Sequence, residues 1–205
     1  MTEVQVWSAA LDRRPDDLSR LLRVLDSEER ARAERFRFAR DRDRFIVRRA
    51  FRRMILARHL AADPAKIAFG AGPNGKPLLA ADPDLNFSES ESGGLAVVGV
   101  ARGARVGVDV ELVRPVAGAA RVIDRFATSA ERDAYGRLHP DDRLRGFFRW
   151  WTAKEALIKA VGSGLAEGLA GLSPGPGWHR SELRIGPGHV GCLVTEGELD
   201  QRAAS

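Results

Sequence analysis

The chain predicts helices set against small sheets, on the strength of two stretches with different periods. Val106-Gly107-Val108-Asp109-Val110-Glu111 alternates valine with small or acidic residues, the period-two pattern of a half-buried strand. Phe147, Trp150, Ala153, Leu157 and Ala160 fall at helical spacing, and the stretch from Trp151 to Ala160 holds no Gly or Pro. At 205 residues, with 44% hydrophobic and 30% charged content, the chain can bury a sizeable core in one domain or in two small ones.

In order along the chain, Val4-Gln5-Val6-Trp7 alternates and reads as an opening strand. Leu18 to Leu25 is a short amphipathic helix or turn. Ser27-Glu28-Glu29-Arg30 reads as a capped helix start with acids in its first turn. Arg30 to Leu60 carries Ala33, Phe36, Phe45, Ala50, Met54, Leu56 and Leu60 among many arginines, and is expected to form two helices broken near Phe38 to Asp41. The plain role for such arginines is a solvated face paired to Asp41 and Asp43. Ala71 to Pro77 is a loop by composition, and Leu95 to Val100 a buried strand. Arg102-Gly103-Ala104-Arg105 is a tight turn into the Asp109 strand, and a domain boundary is expected there, between residues 1–105 and 106–205. Val116 to Phe126 and Ser129 to Leu138 read as helices, the second capped by Ser129. Pro140 to Arg149 leads into the helix around Trp151, which Gly162-Ser163-Gly164 stops. After a Ser-Pro-Gly-Pro-Gly loop, Leu183-Arg184-Ile185 and His189 to Thr195 form a closing hairpin, and Glu198 to Ser205 is a frayed end. His179 and His189, unpaired with other ligand-type residues, read as structural or exposed.

The net charge of +5 and a pI near 10.1 point to an anionic partner: nucleic acid, a phosphate-rich ligand or an acidic protein. The only lysines are Lys66, Lys76, Lys154 and Lys159, two of them in the Trp151 helix. The single Cys192 precludes an internal disulfide. Residues 1 to 17 hold no basic segment followed by an apolar run, and the longest apolar stretch, Leu95 to Ala101, is too short to span a bilayer. A cytoplasmic address without a membrane partner is the expectation.

Asp109 and Glu111, two apart on a strand, share one face about 7 Å from each other. Carboxylates so placed repel unless a cation lies between them, and a hard ion such as Mg²⁺ suits oxygen ligands. The plain alternative is the solvated face of an edge strand. Glu155 and Lys159, four apart, share a helix face with Trp151 one turn earlier; alone, they make a surface pair worth roughly 0.3 kcal/mol.

Gly107-Val108-Asp109-Val110-Glu111 followed by Trp151-Thr152-Ala153-Lys154-Glu155-Ala156 resembles the 4′-phosphopantetheinyl transferases of the surfactin type. Phe126-Ala127-Thr128-Ser129-Ala130-Glu131 and Gly162-Ser163-Gly164-Leu165 look like the same family, and the resemblance covers most of the chain. It implies a pseudodimer of two α+β halves, each with helices on a small, mainly antiparallel sheet and the active site between them. It implies transfer of phosphopantetheine from coenzyme A to a serine of an apo acyl or peptidyl carrier protein, with release of 3′,5′-ADP, by a monomer. Asp109, Glu111 and Glu155 are then the Mg²⁺ ligands, and Lys159 neutralises the transferring phosphate. Lys154 is a second phosphate contact or a solvated neighbour, and Glu155 also a general base, directly or through a water. Arg44 and Arg48 are the counterparts placed for coenzyme A phosphates, and Gly75-Lys76-Pro77 for its nucleotide end.

In this family Phe-Asn-x-Ser-His-Ser precedes the buried strand. Here Ser90, Glu91 and Ser92 stand on its Ser-His-Ser, or Ser88, Glu89 and Ser90 in an alternative register; in either, glutamate replaces histidine. That departure leaves a catalytically weakened coenzyme A or carrier binder as one rival. An Mg²⁺-dependent nuclease or nucleic-acid binder is another, although no stacking platform or known DNA-binding motif accompanies the charge.

Overall fold

In the computed structural model, residues 2–72, 75–162, 174–197 and 199–200 are described. The Ser163-Gly164-Leu165 segment, Pro73 and Asn74 of the loop, Ser173 and the final residues 201–205 lie outside them. Strand β1 (Thr2–Ala10) opens the chain, followed by helices α1 (Pro15–Leu22), α2 (Ser27–Glu34) and α3 (Ala39–Leu60). Short strands β2 (Phe69–Ala71) and β3 (Pro77–Leu79) pair on either side of the loop, and β4 (Leu85–Ser92) and β5 (Leu95–Arg102) form a hairpin. Then come β6 (Val106–Leu112), α4 (Ala119–Phe126), α5 (Ser129–Gly136), α6 (Arg143–Val161), β7 (Trp178–Leu183), β8 (His189–Glu196) and β9 (Leu199–Asp200).

The architecture is α+β, in two halves. One sheet has the order β4-β5-β1-β9, the other β6-β8-β7, and apart from the parallel β1–β9 contact these pairs are antiparallel. Ile55 and Leu56 of α3 pack on Leu85, Phe87, Val98 and Val100 in the first half. Ala156, Leu157 and Ala160 of α6 pack on Cys192 and Val194 in the second. A third cluster joins the sheets: Val4, Val97 and Ala101 meet Val106, Val108, Val110 and Leu193.

That last cluster revises the half-buried reading of β6. Its valine face lies on the other half, its alternate face lies under α6, and every residue from Val106 to Val110 is buried. Gly107 makes the second contact possible: a Cβ there would stand 1.9 Å from the Ala156 carbonyl oxygen and 2.5 Å from the Ala160 nitrogen. Only glycine lets the helix backbone come this close.

Several element ends differ from expectation. The second helix is capped by Asp26, whose side chain accepts the Glu29 N–H, rather than by Ser27. Thr128, not Ser129, caps α5: its hydroxyl accepts from Glu131 N while the Glu131 carboxylate accepts from Thr128 N. The arginine-rich stretch breaks at Arg35 to Phe38, slightly earlier than expected, and α6 is one helix from Arg143 onward. The first helix begins at Pro15, with Asp16 and Asp17 in its first turn where acids favour the helix dipole. The closing hairpin begins at Trp178 rather than Leu183.

Candidate active site

The site forms where β4, β6 and α6 meet. Asp109 is 4% exposed. Its Oδ1 accepts from the Ser90 hydroxyl at 2.7 Å and from the Lys159 ammonium at 2.8 Å, while among the described residues its buried Oδ2 has no hydrogen-bond partner. Lys159 also donates to the Glu89 carbonyl at 3.4 Å. One alternation further along β6, Glu111 Oε2 accepts from the Ser92 hydroxyl at 2.6 Å. Glu155, one helical turn before Lys159, has its carboxyl pushed up by burial and then by the charges of Asp109 and Glu111, against the pull of Lys159. Asp109, Glu111, Glu155 and Lys159 are thus brought together, with more negative than positive charge. Among the described residues, no group of three or more His, Cys, Asp or Glu side chains stands arranged to hold a metal ion. The Lys159 ammonium is the cation on Asp109 in this conformation.

The donor set nevertheless fits a hard cation. Its acceptors are carboxylate oxygens, and one of them is buried and unpartnered, a state that costs free energy unless a cation or donor arrives.

Strand β4 divides its side chains between two neighbours. Ser88, Ser90 and Ser92 face β6, and Ser88 accepts the Val108 N–H at 3.0 Å. Glu89 and Glu91 face α3, where Glu89 takes Arg49 at 3.2 Å and Arg52 at 3.4 Å, and Glu91 takes Arg48 at 2.5 Å. Burial and the neighbouring Arg52 lower the Arg49 guanidinium to about 10. Arg44 makes a forked pair with Asp12 at 2.8 and 2.9 Å. Arg44, Arg48, Glu91 and Ser92 line a cleft of about 380 Å³ with Phe36 and Asp41. Through Ser92 this cleft adjoins the carboxylates.

Gly75-Lys76-Pro77 takes another course. Gly75 has φ 76°, which favours glycine, and Lys76 reaches across to the C-terminal half. Its ammonium donates to the Lys159 carbonyl at 2.7 Å, in the last turn of α6, and to the Val106 carbonyl at 3.3 Å. Burial, and then the charge of Arg105, lower it to about 8.

Lys154 is not brought to the cluster. It is 3% exposed, pairs with Glu131 at 2.9 Å and lies 5.9 Å from the Trp150 ring centroid. Neither a phosphate contact nor a solvated place fits that burial. Its partner Glu131 carries no mark of that pairing in the sequence; the Thr128-x-x-Glu131 spacing marks only the capping box. His189 is structural, its ring nitrogens 3.2 Å from the Pro187 carbonyl and 3.1 Å from the Ser92 carbonyl.

Residues 105–196 match the 4′-phosphopantetheinyl transferase superfamily and residues 9–102 the 4′-phosphopantetheinyl transferase N-terminal family. The chain is 36% identical over 168 residues to 4′-phosphopantetheinyl transferase HetI of Nostoc sp., covering 80% of this chain and 71% of that protein. It is 30% identical over 184 residues to a 4′-phosphopantetheinyl transferase of Bacillus subtilis, covering 89% and 80%. Against Sfp of Bacillus subtilis it is 25% identical over 202 residues, covering 96% and 88%. The chain belongs to the 4′-phosphopantetheinyl transferase superfamily, and it is an enzyme that transfers phosphopantetheine to carrier proteins. Among the described residues no helix is long and apolar enough to cross a membrane.

Proposed function

We propose that the donor is coenzyme A, that the acceptor is a serine of an apo acyl or peptidyl carrier protein, and that the reaction is Mg²⁺-dependent and releases 3′,5′-ADP. The observation that carries this reading is Asp109, buried between Ser90 and Lys159 with one oxygen unpartnered and two more carboxylates alongside. Asp109, Glu111 and Glu155 would hold the ion, which when bound neutralises and polarises the oxygens of the transferring phosphate.

The chain's own residues align and balance charge, which is what phosphoryl transfer demands. Lys159 presents its ammonium to the phosphate, moving from its present pair with Asp109. Arg44 and Arg48, whose forks match phosphate oxygens, hold the rest of coenzyme A in the cleft beside Glu91 and Ser92. Gly75, Lys76 and Pro77 would border its nucleotide end through the loop backbone, the Lys76 ammonium being held by the Lys159 and Val106 carbonyls. Glu155, raised by burial and like charge, takes the serine proton directly or through a water. The basic surface suits an acidic carrier. A monomer in the cytoplasm, its one cysteine buried, is the form in which it acts.

The test incubates the enzyme with an apo-carrier, coenzyme A and Mg²⁺ and measures the intact mass of the carrier. A gain of one phosphopantetheine is expected, lost with chelator and in Asp109→Ala. Full transfer by Asp109→Ala at limiting Mg²⁺ would sink the three-carboxylate reading. A melting temperature raised by DNA and not by coenzyme A would favour a nucleic-acid ligand instead.

A further inference from the structure

The FSESES segment, residues 87–92, is expected by resemblance to meet phosphate, yet its serines point elsewhere. Ser90 donates to Asp109 Oδ1 at 2.7 Å and Ser92 to Glu111 Oε2 at 2.6 Å. A serine hydroxyl has one proton to donate, and a phosphate oxygen needs a donor. With that proton on a carboxylate, neither serine has one left for coenzyme A. We infer that Ser90 and Ser92 are positioning residues that aim the Asp109 and Glu111 carboxylates, one serine for each of these two strand carboxylates. This rests on the Mg²⁺ reading of those carboxylates.

The strands make the arrangement more than a pair of chance contacts. Along the seam between β4 and β6, each β4 serine meets β6 in step. Ser88 accepts Val108 N–H at 3.0 Å, Ser90 meets Asp109, and Ser92 meets both Glu111 and the Leu112 N–H at 3.1 Å. The Leu112 bond occupies a lone pair of the Ser92 oxygen and so helps direct its O–H at Glu111. Asp109 Oδ1 carries the Ser90 and Lys159 bonds, which turns the unpartnered Oδ2 away as the free coordinating oxygen. Groups that hydrogen-bond to ligating carboxylates and fix their orientation commonly change metal affinity or activity 10- to 100-fold when removed.

Ser88 supplies an internal control. It holds the same seam, is 4% exposed, and touches backbone rather than a carboxylate. If the serines merely join the halves, all three alanine variants should behave alike. If Ser90 and Ser92 aim ligands, only those two should weaken metal binding.

The experiment titrates purified full-length protein with Mn²⁺, followed by electron paramagnetic resonance, in the absence of coenzyme A and carrier. Ser90→Ala and Ser92→Ala are expected to weaken Mn²⁺ about tenfold, and Ser90→Thr, which keeps a hydroxyl, to restore most of the affinity. Ser88→Ala is expected to lower the melting temperature and leave Mn²⁺ affinity within about twofold, by the absence of any ligand contact. In turnover, the two ligand-facing variants should raise the Mg²⁺ concentration for half-maximal rate by a larger factor than they lower kcat at saturating Mg²⁺. Wild-type Mn²⁺ affinity in folded Ser90→Ala and Ser92→Ala, while Asp109→Ala loses it, overturns the inference alone. An equal loss in Ser88→Ala also overturns it. Unchanged affinity in Asp109→Ala overturns the carboxylate reading and the inference with it.

Discussion

Leaving aside β9 at its edge, the N-terminal sheet sets its first strand, β1, beside β5, whose other neighbour is β4; in the C-terminal sheet β6, β8 and β7 repeat that order. Each half also lays one long helix, α3 or α6, on its sheet. The charges on these matching scaffolds differ. From Arg44 to Arg53, α3 carries Arg44, Arg48, Arg49, Arg52 and Arg53, whose partners are Asp12, Glu91, Glu89, Glu29 and Asp26. Five cations face five anions, and two of the arginines, Arg52 and Arg53, are almost fully buried. Among the described residues the cluster at α6 is unequal: Asp109, Glu111 and Glu155 against Lys159, three minus one, or a formal excess of two negative charges. A balanced network can stand as structure, and its exposed pairs can open for an incoming phosphate. An unbalanced, half-buried one calls for an added cation.

The largest effect should come from separating α6 from β6, which would erase the difference between the halves altogether. Gly107→Ala places a methyl against the Ala156 and Ala160 backbone, which cannot yield without moving the helix. A loss of about 3 kcal/mol or more in urea unfolding is expected, with transfer activity lost at temperatures where wild type is stable. A variant destabilised by less than 1 kcal/mol would mean that the helix slides freely, and that glycine is not what brings Glu155 and Lys159 to Asp109.

Removing the lone cation sharpens the inequality without touching the fold's core. Lys159→Ala takes the ammonium from Asp109 and deepens the negative excess. The charge it balances grows as phosphate transfers, so kcat should fall on the order of 100-fold with a smaller rise in KM. Lys159→Arg should recover only part, since a planar fork replaces a point charge. Steady-state kinetics at saturating Mg²⁺ decide it; an effect confined to KM would move Lys159 to the nucleotide end.

Much of this was legible in the sequence. The period of β6 put Asp109 and Glu111 on one face, the four-residue spacing put Glu155 beside Lys159, and the arginine run and its break were visible. Other features depend on what each face meets, which periodicity does not state. Alternation separates the serines of β4 from its glutamates but does not say which set meets carboxylates and which meets arginines. Gly107 looks like any small residue in an alternating strand until the Ala156 backbone is seen against it. Lys154 precedes Glu155 on a helix with an apolar stripe, and it is buried against Glu131, which comes from a different helix, α5. Thr128 and Ser129 are both good caps in sequence, and the reciprocal Glu131 bond selects the first.

The smallest expected effect probes the balanced side. Glu91, which the first of the two registers sets on the histidine of the resembled motif, is paired with Arg48 at 2.5 Å in the cleft proposed for coenzyme A phosphates. A carboxylate beside phosphate is repulsive unless it turns away or is paired, and here it is paired. As part of the cleft it both repels phosphate and holds a guanidinium that could bind it. Glu91→His releases Arg48 and adds an imidazole donor, so coenzyme A should bind tighter by about 1 kcal/mol at pH 6. The protonated imidazole is the favourable form, so its share of the gain is present below the histidine pKa and fades as pH rises through about 6.5, or somewhat higher with phosphate bound. What persists at pH 8 is the share from the freed Arg48. Calorimetric titration with coenzyme A at both pH values separates the two. Weaker binding at pH 6 in Glu91→His would show that the Glu91–Arg48 pair works as a unit in the site, and that the balanced charges of this half serve binding as they stand rather than by opening.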